Sequence, residues 1–138
     1  MNTQRFEQVP IDKLVPYARN ARTHSKEQIL QLRSSLREFG FLSPPVIDAH
    51  YNILVGHGRI EAARAEGYET VPCVFAENLT DAQKRAYILA DNQLALNAGW
   101  DEEMLAVELA DLQDQSFDLS LLGFGTDELE KLLGGGEE

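Results

Sequence analysis

Apolar positions in the first forty residues change from a strand-like to a helix-like spacing. Residues Val9–Val15 alternate enough to predict a short strand or extended lead-in, and the polar loop Pro16–His24 follows. Ser25 then begins a helix as its N-cap, with Gln28 completing a capping box, and Gly40 stands where the helix would end. One apolar stripe runs along this helix through Ile29, Leu32, Leu36 and Phe39.

The middle of the chain predicts short strands around one short helix. A pair of prolines breaks the chain before a strand at Val46–Asp48, and a polar turn joins it to a returning strand at Ile53–Val55, which makes a hairpin. A helix at Arg59–Glu66 follows and is stopped by a glycine. The next strand is Val71–Phe75, and Pro72 places it at a sheet edge or at a strand start, because proline cannot donate to the ladder.

The C-terminal half is helical and polar. Thr80 and Gln83 form a second capping box, which opens a helix that extends to about Ala90. Asp101 caps a third long helix, and a terminal helix, Thr126–Leu133, has Thr126 as its cap. The core side of the third helix is formed by Met104, Leu105, Leu109 and Leu112. The whole pattern predicts an α+β fold, in which a small mixed β-sheet with flanking helices is followed by a helical C-terminal extension.

Charge is spread unevenly along the 138 residues, whose net charge is −11. Residues 1–60 carry eight Lys/Arg against five Asp/Glu, whereas residues 61–138 carry four against eighteen. Because phosphate neutralisation supplies most of the affinity of a DNA-binding surface, we expect weak or no DNA binding by this chain alone. The arginines of the first half favour a small anionic ligand instead.

The composition also restricts the compartment. No apolar run approaches the roughly 20 residues of a membrane helix, and the N-terminus lacks the pattern of a signal peptide. Cys73 is the one cysteine, in an apolar strand that favours a small buried residue over a nucleophile. We therefore expect a cytoplasmic protein that has no internal disulfide and no contact with a membrane.

The stretch Gly56-His57-Gly58-Arg59 connects a predicted strand to a predicted helix and has the chemistry of an anion-binding turn. The first turn of a helix presents unpaired N–H groups and the positive end of the helix dipole, and glycines let an anion come close. Arg59 adds a charged fork suited to phosphate oxygens, and His57 can contact phosphate or donate a proton. A tight strand-to-helix turn without a ligand explains the two glycines equally well.

Two further polar segments supply groups that a phosphate site needs. The loop from Arg19 to His24 holds two arginines, an amide and an imidazole just before a capped helix. Glu77 and Asn78 follow a strand and offer a carboxylate and an amide oxygen, which are ligands that Mg²⁺ takes when it is bound with a nucleotide. A solvated loop and a plain turn are the simpler interpretations of these segments taken singly.

The order of these motifs resembles the ParB/sulfiredoxin-like domain, over residues 8–95. In that family the matching segments bind CTP with Mg²⁺, and slow hydrolysis gates a DNA clamp. The resemblance implies a nucleotide-binding domain at 8–95. The acidic helices that follow predict a helical extension at 96–133, and the run of glycines predicts a flexible tail or linker at 134–138. The motifs that carry it are Asn20-x-Arg22, Gly40-Phe41-Leu42-Ser43-Pro44-Pro45-Val46-Ile47, Gly56-His57-Gly58-Arg59-x-x-Ala62-Ala63 and Glu77-Asn78.

By this resemblance, phosphate is bound by Asn20, Arg22, Ser43, Gly56, His57, Gly58 and Arg59, and Mg²⁺ by Glu77, Asn78 and Asn20. The chain departs from the family at several of these positions. The family's Gly-Glu-Arg-Arg reads Gly56-His57-Gly58-Arg59, and Asn20 and Ser43 stand where the family has glutamines. Nucleotide binding is therefore expected rather than turnover.

The segment after residue 85 resembles the phage and prophage branch of the family, in which the domain precedes an adenine- or cytosine-specific DNA methyltransferase. This implies the regulatory N-terminal part of a DNA-modification protein, with a methyltransferase as a fused or partner domain beyond Glu138. The helix-turn-helix domain of the partitioning proteins is expected to be absent. The matching residues are Ala86-x-x-Leu89-Ala90-Asp91-Asn92-Gln93-Leu94-Ala95 and Ala98-Gly99-Trp100-Asp101.

Two other functions stay open on the sequence. One is an enzyme, namely a nucleotidase, a small-molecule kinase or a nuclease, in which Glu77 or His57 serves as a general base. The other is a protein-interaction module, in which the acidic helices at 101–112 and 126–133 dock on a partner or form a homodimer and the anion site is vestigial.

Overall fold

The computed structural model describes residues 5–17 and 24–134. The chain divides into two compact units, Met1–Asn97 and Ala98–Glu138. The first unit contains a mixed β-sheet with helices, and the second contains helices joined by turns. The fold is therefore α+β, as predicted. Within the described ranges, no helix is both long enough and apolar enough to cross a membrane.

The sheet of the first unit has five strands in the spatial order β1-β5-β3-β4-β2. Antiparallel pairs join β1 to β5 and β3 to β4, and parallel pairs join β5 to β3 and β4 to β2. The mixed sheet and the β3–β4 hairpin are thus confirmed. The strands are β1 (Arg5–Pro10), β2 (Val15–Pro16), β3 (Val46–Ile47), β4 (Asn52–Val55) and β5 (Thr70–Phe75).

The lead-in at Val9–Val15 is not one strand. A 3-10 turn at Ile11–Lys13 separates β1 from β2, and both Ile11 and Leu14 are buried. Side chains three residues apart meet on one side of a 3-10 turn, whereas in a strand they would point to opposite faces. The burial of these two apolar residues on the core side therefore requires the turn.

Pro72 was predicted to lie at a sheet edge or at a strand start, and β5 as a whole is not an edge strand, because it lies between β1 and β3. However, β3 pairs with β5 only at Val74 and Phe75. At Pro72 the strand partner in the described part of the chain is β1 alone. The missing proline N–H is tolerated because the sheet is locally two-stranded at that position.

The helices of the first unit follow the predicted caps more closely than the predicted ends. Helix α1 (Lys26–Phe39) has Ser25 as its N-cap, whose Oγ accepts from the N–H of Gln28 at 3.0 Å, and it ends at Gly40. Helix α2 (His57–Ala65) begins two residues earlier than predicted, because Gly56 itself is the N-cap. Helix α3 (Asp81–Asn97) continues seven residues beyond Ala90, and the middle of this extension, residues 93–96, consists of strong helix formers.

One carboxylate joins α1 to α2. Glu66, the C-cap of α2, accepts at Oε2 from Arg33 Nε at 2.6 Å and also from Arg37 Nη1. The hydrogen bond from Arg33 is the largest cause that holds the pKa of Glu66 below its usual 4.5; Arg37 adds to it, and burial opposes it. Both arginines lie in the second half of α1, so this contact fixes that half against the end of α2.

The core of the first unit lies between the sheet and the helices α1 and α2. Burial raises the pKa of the Cys73 thiol to about 11, so this side chain packs as a small apolar group. The buried cluster consists of Val9, Ile11, Leu14, Leu36, Ile47, Ile53, Ile60, Ala62, Ala63, Val71, Cys73 and Phe75.

The second unit contains α4 (Glu102–Asp114) and α5 (Thr126–Leu133), with a 3-10 turn at Leu119–Leu122 between them. Asp101 caps α4 as predicted, and its Oδ1 accepts from the N–H of Met104 at 3.2 Å. Two predictions fail here. Met104 is exposed rather than in the core. The N-cap of α5 is the residue before Thr126, namely Gly125, whose N–H donates to Glu128 Oε1 at 3.4 Å.

Candidate functional site

A glycine whose backbone is in the left-handed conformation turns the chain from β4 into α2. Gly56 has φ +105° and ψ 19°, a conformation that side chains other than glycine rarely adopt. A Cβ atom at this position would lie 2.7 Å from the Cβ of Pro45. Glycine is therefore required twice, once for its backbone angles and once for the close approach of the Pro45 segment.

The turn opens onto a cavity of about 230 Å³. It is lined by the N-terminal half of α1 with His24, which precedes the N-cap of that helix, and by the second half of α3. The turn and the end of β4 complete the lining, so separate segments of the first unit converge on the space. The lining residues are His24, Gln28, Leu32, Leu54, Val55, Gly56, His57, Gly58, Arg59, Asp91, Asn92 and Ala95.

Gly58 lets the first turn of α2 pack closely against Leu32 and His24. A Cβ at Gly58 would lie 2.9 Å from the Cδ1 of Leu32 and 3.0 Å from the imidazole of His24. His24 is held in place because its Nδ1 lies 2.9 Å from the Oε1 of Gln28, one turn along α1. Gln28 thus supports His24 instead of completing the predicted capping box with Ser25.

Arg59 supplies positive charge to this cavity in the first turn of α2. The side chain is half-buried, and within residues 5–17 and 24–134 no carboxylate lies within ion-pair distance of it. The first N–H groups of α2 also lack partners within their own helix and carry the positive end of its dipole. An uncompensated guanidinium beside a helix N-terminus favours an anionic ligand.

The structure brings a carboxylate and an amide to the same cavity, Asp91 and Asn92 of α3. The Nδ2 of Asn92 donates to the carbonyl of Ile88 at 2.9 Å, which orients the amide. The pKa of Tyr87, one turn before Asp91, is raised first by burial and then by the negative charge of Asp91. These residues were not predicted as site residues, because the helix was expected to end at Ala90. Their signal in the sequence was the acid–amide dipeptide itself.

The predicted pair Glu77 and Asn78 is not brought to the turn. Because β4 runs antiparallel to β3 while β5 runs parallel to it, the segments that follow β4 and β5 leave the sheet in opposite directions. Glu77 instead pairs with Arg5, whose Nη2 lies 3.2 Å from Glu77 Oε2. In the part of the chain that the structure describes, no group of three or more His, Cys, Asp or Glu residues is arranged to hold a metal ion.

The other predicted phosphate contacts have different outcomes. Ser43 is exposed in the loop before β3 and does not line the cavity. Asn20 and Arg22 lie outside the described residues. The described residues on either side of them both reach the turn: the backbone N–H of Tyr17 donates to His57 Nε2 at 3.3 Å, and His24 lines the cavity beside Gly58.

The surroundings of His57 favour its neutral form. Burial lowers its pKa below 6.5, and the nearby charge of His24 lowers it further. Because Nε2 accepts the Tyr17 N–H, the ring proton of the neutral form lies on Nδ1. We expect an NMR titration to give His57 a midpoint below 6.5, and His24→Ala to raise that midpoint.

The same group makes stability depend on pH. The unfolded chain takes up a proton near pH 6.5 and the folded chain only at lower pH, so stability falls as the pH decreases from about 6.5 to the folded pKa. Chemical denaturation at several pH values measures this slope, and His57→Asn should remove its share. A His57 midpoint at or above 6.5 would contradict the assignment.

The sequence and the fold together place the chain among known proteins. Residues 1–93 match the ParB N-terminal domain, and residues 103–138 match the ParB-methyltransferase HTH domain. The chain belongs to the ParB N-terminal domain family. The second match confirms the resemblance to the methyltransferase-associated branch. A helix-turn-helix domain of that class was not predicted for the acidic extension, and the match adds it.

Individual relatives agree with the family match. A ParB-like nuclease domain-containing protein of Escherichia coli strain K12, YnaK, is 46% identical over 76 residues, which is 55% of this chain and 87% of that protein. The nucleoid occlusion protein of Bacillus cereus strain AH187 is 29% identical over 112 residues, or 78% of this chain. The chain spans only 36% of the length of that protein.

A solved structure shares the fold. The C-terminally truncated chromosome-partitioning protein ParB from Caulobacter crescentus, complexed with CTP-gamma-S, aligns with a TM-score of 0.75 and 23% identity. The alignment covers 94% of this chain and 77% of the ParB chain. At this identity the likeness establishes the architecture, and the chemistry of the cavity rests on its own residues.

Proposed function

We propose that the cavity binds a nucleoside triphosphate together with Mg²⁺, with CTP as the first candidate, and that this binding regulates a DNA-modification protein. The observation that carries the proposal is Arg59 at the N-terminus of α2, which pairs with no carboxylate among the described residues and lines the same cavity as Asp91. A phosphate chain needs positive charge along its oxygens and a divalent cation to balance the rest. The cavity offers positive charge at Arg59 and oxygen ligands for a divalent cation at Asp91 and Asn92.

The residues divide into two parts with separate tasks. Backbone N–H groups of residues 57–59 and the guanidinium of Arg59 would hold phosphate oxygens. The oxygens of Asp91 and Asn92, which α3 brings to the same cavity, would hold Mg²⁺. This donor set fits, because Mg²⁺ prefers oxygen ligands and commonly leans on one or two protein groups, with phosphates and water completing its shell.

Asn20 and Arg22 stay predicted phosphate contacts. The residues that flank their segment, Tyr17 and His24, both contact the turn. The triphosphate-binding ParB of Caulobacter crescentus supports CTP as the first nucleotide to test. The match to the ParB-methyltransferase HTH domain supports a methyltransferase as the fused or partner domain.

We propose binding without rapid turnover. Two groups were expected to serve as a general base, and both have other contacts. His57 Nε2 accepts the Tyr17 N–H, and Glu77 pairs with Arg5 away from the turn. A nucleotide that is bound and slowly exchanged suits a regulatory signal better than a catalytic cycle.

The test is calorimetric titration of the full chain with CTP, ATP, GTP and UTP in the presence of Mg²⁺. Arg59→Ala should weaken binding of the preferred nucleotide about tenfold or more, because a charge-assisted hydrogen bond contributes roughly 1.5–3 kcal/mol. Arg64→Ala is the matched control, because Arg64 lies on the same helix, is exposed and, among residues 5–17 and 24–134, pairs with Asp12 alone, at 3.6 Å. Its affinity should stay within about twofold of the wild type.

The metal arm of the same titration uses Asp91→Asn, which should weaken the enhancement by Mg²⁺. Asp81→Asn, in the exposed first turn of α3 and outside the cavity lining, should not. If none of the four nucleotides binds the wild type, or if Arg64→Ala weakens binding as much as Arg59→Ala, the proposed function is wrong.

A further inference from the structure

The second unit contains its own groove, of about 440 Å³, between α4 and α5. Its lining combines apolar side chains with acidic ones, and Lys131 is the one basic residue among them. The apolar members are Trp100, Leu105, Ala106 and Leu132, and the acidic members are Glu102, Glu103 and Glu128.

Trp100 is held in an exposed position at this groove. The residue is 66% exposed, and its ring lies 5.7 Å from the ring of Phe124, centroid to centroid. The face of an indole attracts cations, most often the guanidinium of arginine. A tryptophan that is fixed by a neighbouring ring and remains open to solvent provides a ready surface for such a group.

The negative charge of the second unit favours a positively charged partner. Residues 98–138 carry twelve Asp/Glu against a single basic residue, Lys131. In the described part of the unit, no cation lies within ion-pair distance of Glu102 or Glu103. Although residues 103–138 match a helix-turn-helix domain, this surface repels the phosphates of DNA. Only a positively charged partner relieves the excess charge.

We propose that the α4–α5 groove binds a basic segment of a partner protein. An arginine or lysine of the segment lies over the Trp100 ring with the carboxylates of Glu102 and Glu103 beside it, and an aliphatic residue next to it packs against Leu105 and Leu132. The proposal does not use the nucleotide cavity, so either can fail without the other.

The probe is a synthetic ten-residue peptide of alternating arginine and leucine, titrated into the full chain at physiological ionic strength. Trp100 is the chain's one tryptophan, so its fluorescence reports on the groove alone. We expect a saturable change that an arginine–glycine peptide produces more weakly and a glutamate–leucine peptide does not produce. Glu102→Gln with Glu103→Gln should weaken the arginine–leucine peptide about fivefold or more, because two carboxylates next to the bound cation are lost.

The matched control separates the groove from the overall charge of the unit. Asp111→Asn with Asp114→Asn removes the same charge from α4 outside the groove, and we expect affinity within about twofold of the wild type. Lys131→Gln removes the repelling cation and should tighten binding, a gain that partial unfolding does not produce. Circular dichroism of each variant checks that α4 is retained.

Three results would overturn the proposal. The first is equal weakening by the two double variants, and the second is binding without any change in Trp100 fluorescence. The third is occupation of the groove by another class of ligand, shown by a dimer that Glu102→Gln with Glu103→Gln disrupts or by duplex DNA that binds the full chain and changes Trp100 fluorescence.

Discussion

Replacing Asp48 with alanine is expected to lower the free energy of unfolding by about 3–5 kcal/mol, because partners of a buried charge lose their hydrogen bonds. Asp48 is 1% exposed and accepts from the backbone N–H groups of His50 and Asn52, both at 2.9 Å. It also accepts from the Asn52 side chain at 3.1 Å and from Lys84 Nζ at 3.0 Å. These bonds shape the β3–β4 turn and tie it to α3. Urea denaturation of wild type and variant measures the difference.

Lowering the pH should remove the stabilisation that the ionised Asp48 provides. Burial favours the neutral form of Asp48, but the hydrogen bonds from Asn52, Lys84 and His50 outweigh it, so the pKa stays below 3.8. The stabilisation is therefore complete above the unfolded pKa and is lost as the pH falls through the folded one. Asp12→Ala, which removes an exposed partner of Arg64, is the control and should cost no more than about 0.5 kcal/mol. A cost for Asp48→Ala that matches this control would contradict the prediction.

Gly56→Ala is expected to lower the free energy of unfolding by about 2–5 kcal/mol and to abolish nucleotide binding. Left-handed backbone costs an L-residue about 1–2 kcal/mol, and crowding a packed position adds roughly 1–3 kcal/mol. The crowding is specific, because the new Cβ would lie 2.7 Å from Pro45 Cβ and 3.0 Å from Pro45 Cα. Thermal or urea unfolding gives the stability, and the calorimetric titration gives the affinity.

Gly67→Ala is the control that separates the cost of a left-handed backbone from the cost of a steric clash at Gly56. Gly67 has φ +87° and an open position, with no described atom within 4 Å of the place where an added Cβ would lie, so only the cost of about 1–2 kcal/mol for the backbone applies. It lies at the far end of α2 and should leave nucleotide affinity unchanged. Equal destabilisation by the two variants would show that Pro45 moves aside and that the turn is less constrained than its geometry indicates.

Local features of the fold were predictable, because the chemistry that determines them lies within a few residues. The caps at Ser25, Thr80 and Asp101 follow from side chains that reach backbone N–H groups three residues away. Strand order was not predictable in the same way. The placement of β5 between β1 and β3 depends on pairings across the whole first unit, which no short pattern encodes.

The candidate site shows the same division. The turn at Gly56–Arg59 was predicted because strand, glycines, arginine and helix are contiguous. Glu77-Asn78 and Asp91-Asn92 have the same chemistry in sequence, and only the direction of β4 relative to β5, with the full length of α3, decides which pair reaches the cavity. The chemistry of these side chains could be inferred from the sequence, whereas their position relative to the cavity could be known only from the topology of the fold.

The contact of Glu66 with α1 has a consequence for the cavity. The helices that Glu66 joins through Arg33 also line the cavity, through Gln28 and Leu32 of α1 and through the first turn of α2. The distance between the two helices affects both the Glu66 contact and the shape of the cavity. A ligand that favours one interhelical distance therefore stabilises the Glu66 contact, and the Glu66 contact increases the affinity for that ligand by the same free energy. The affinity of the cavity for its ligand is thereby linked to the carboxylate of Glu66, which does not line the cavity.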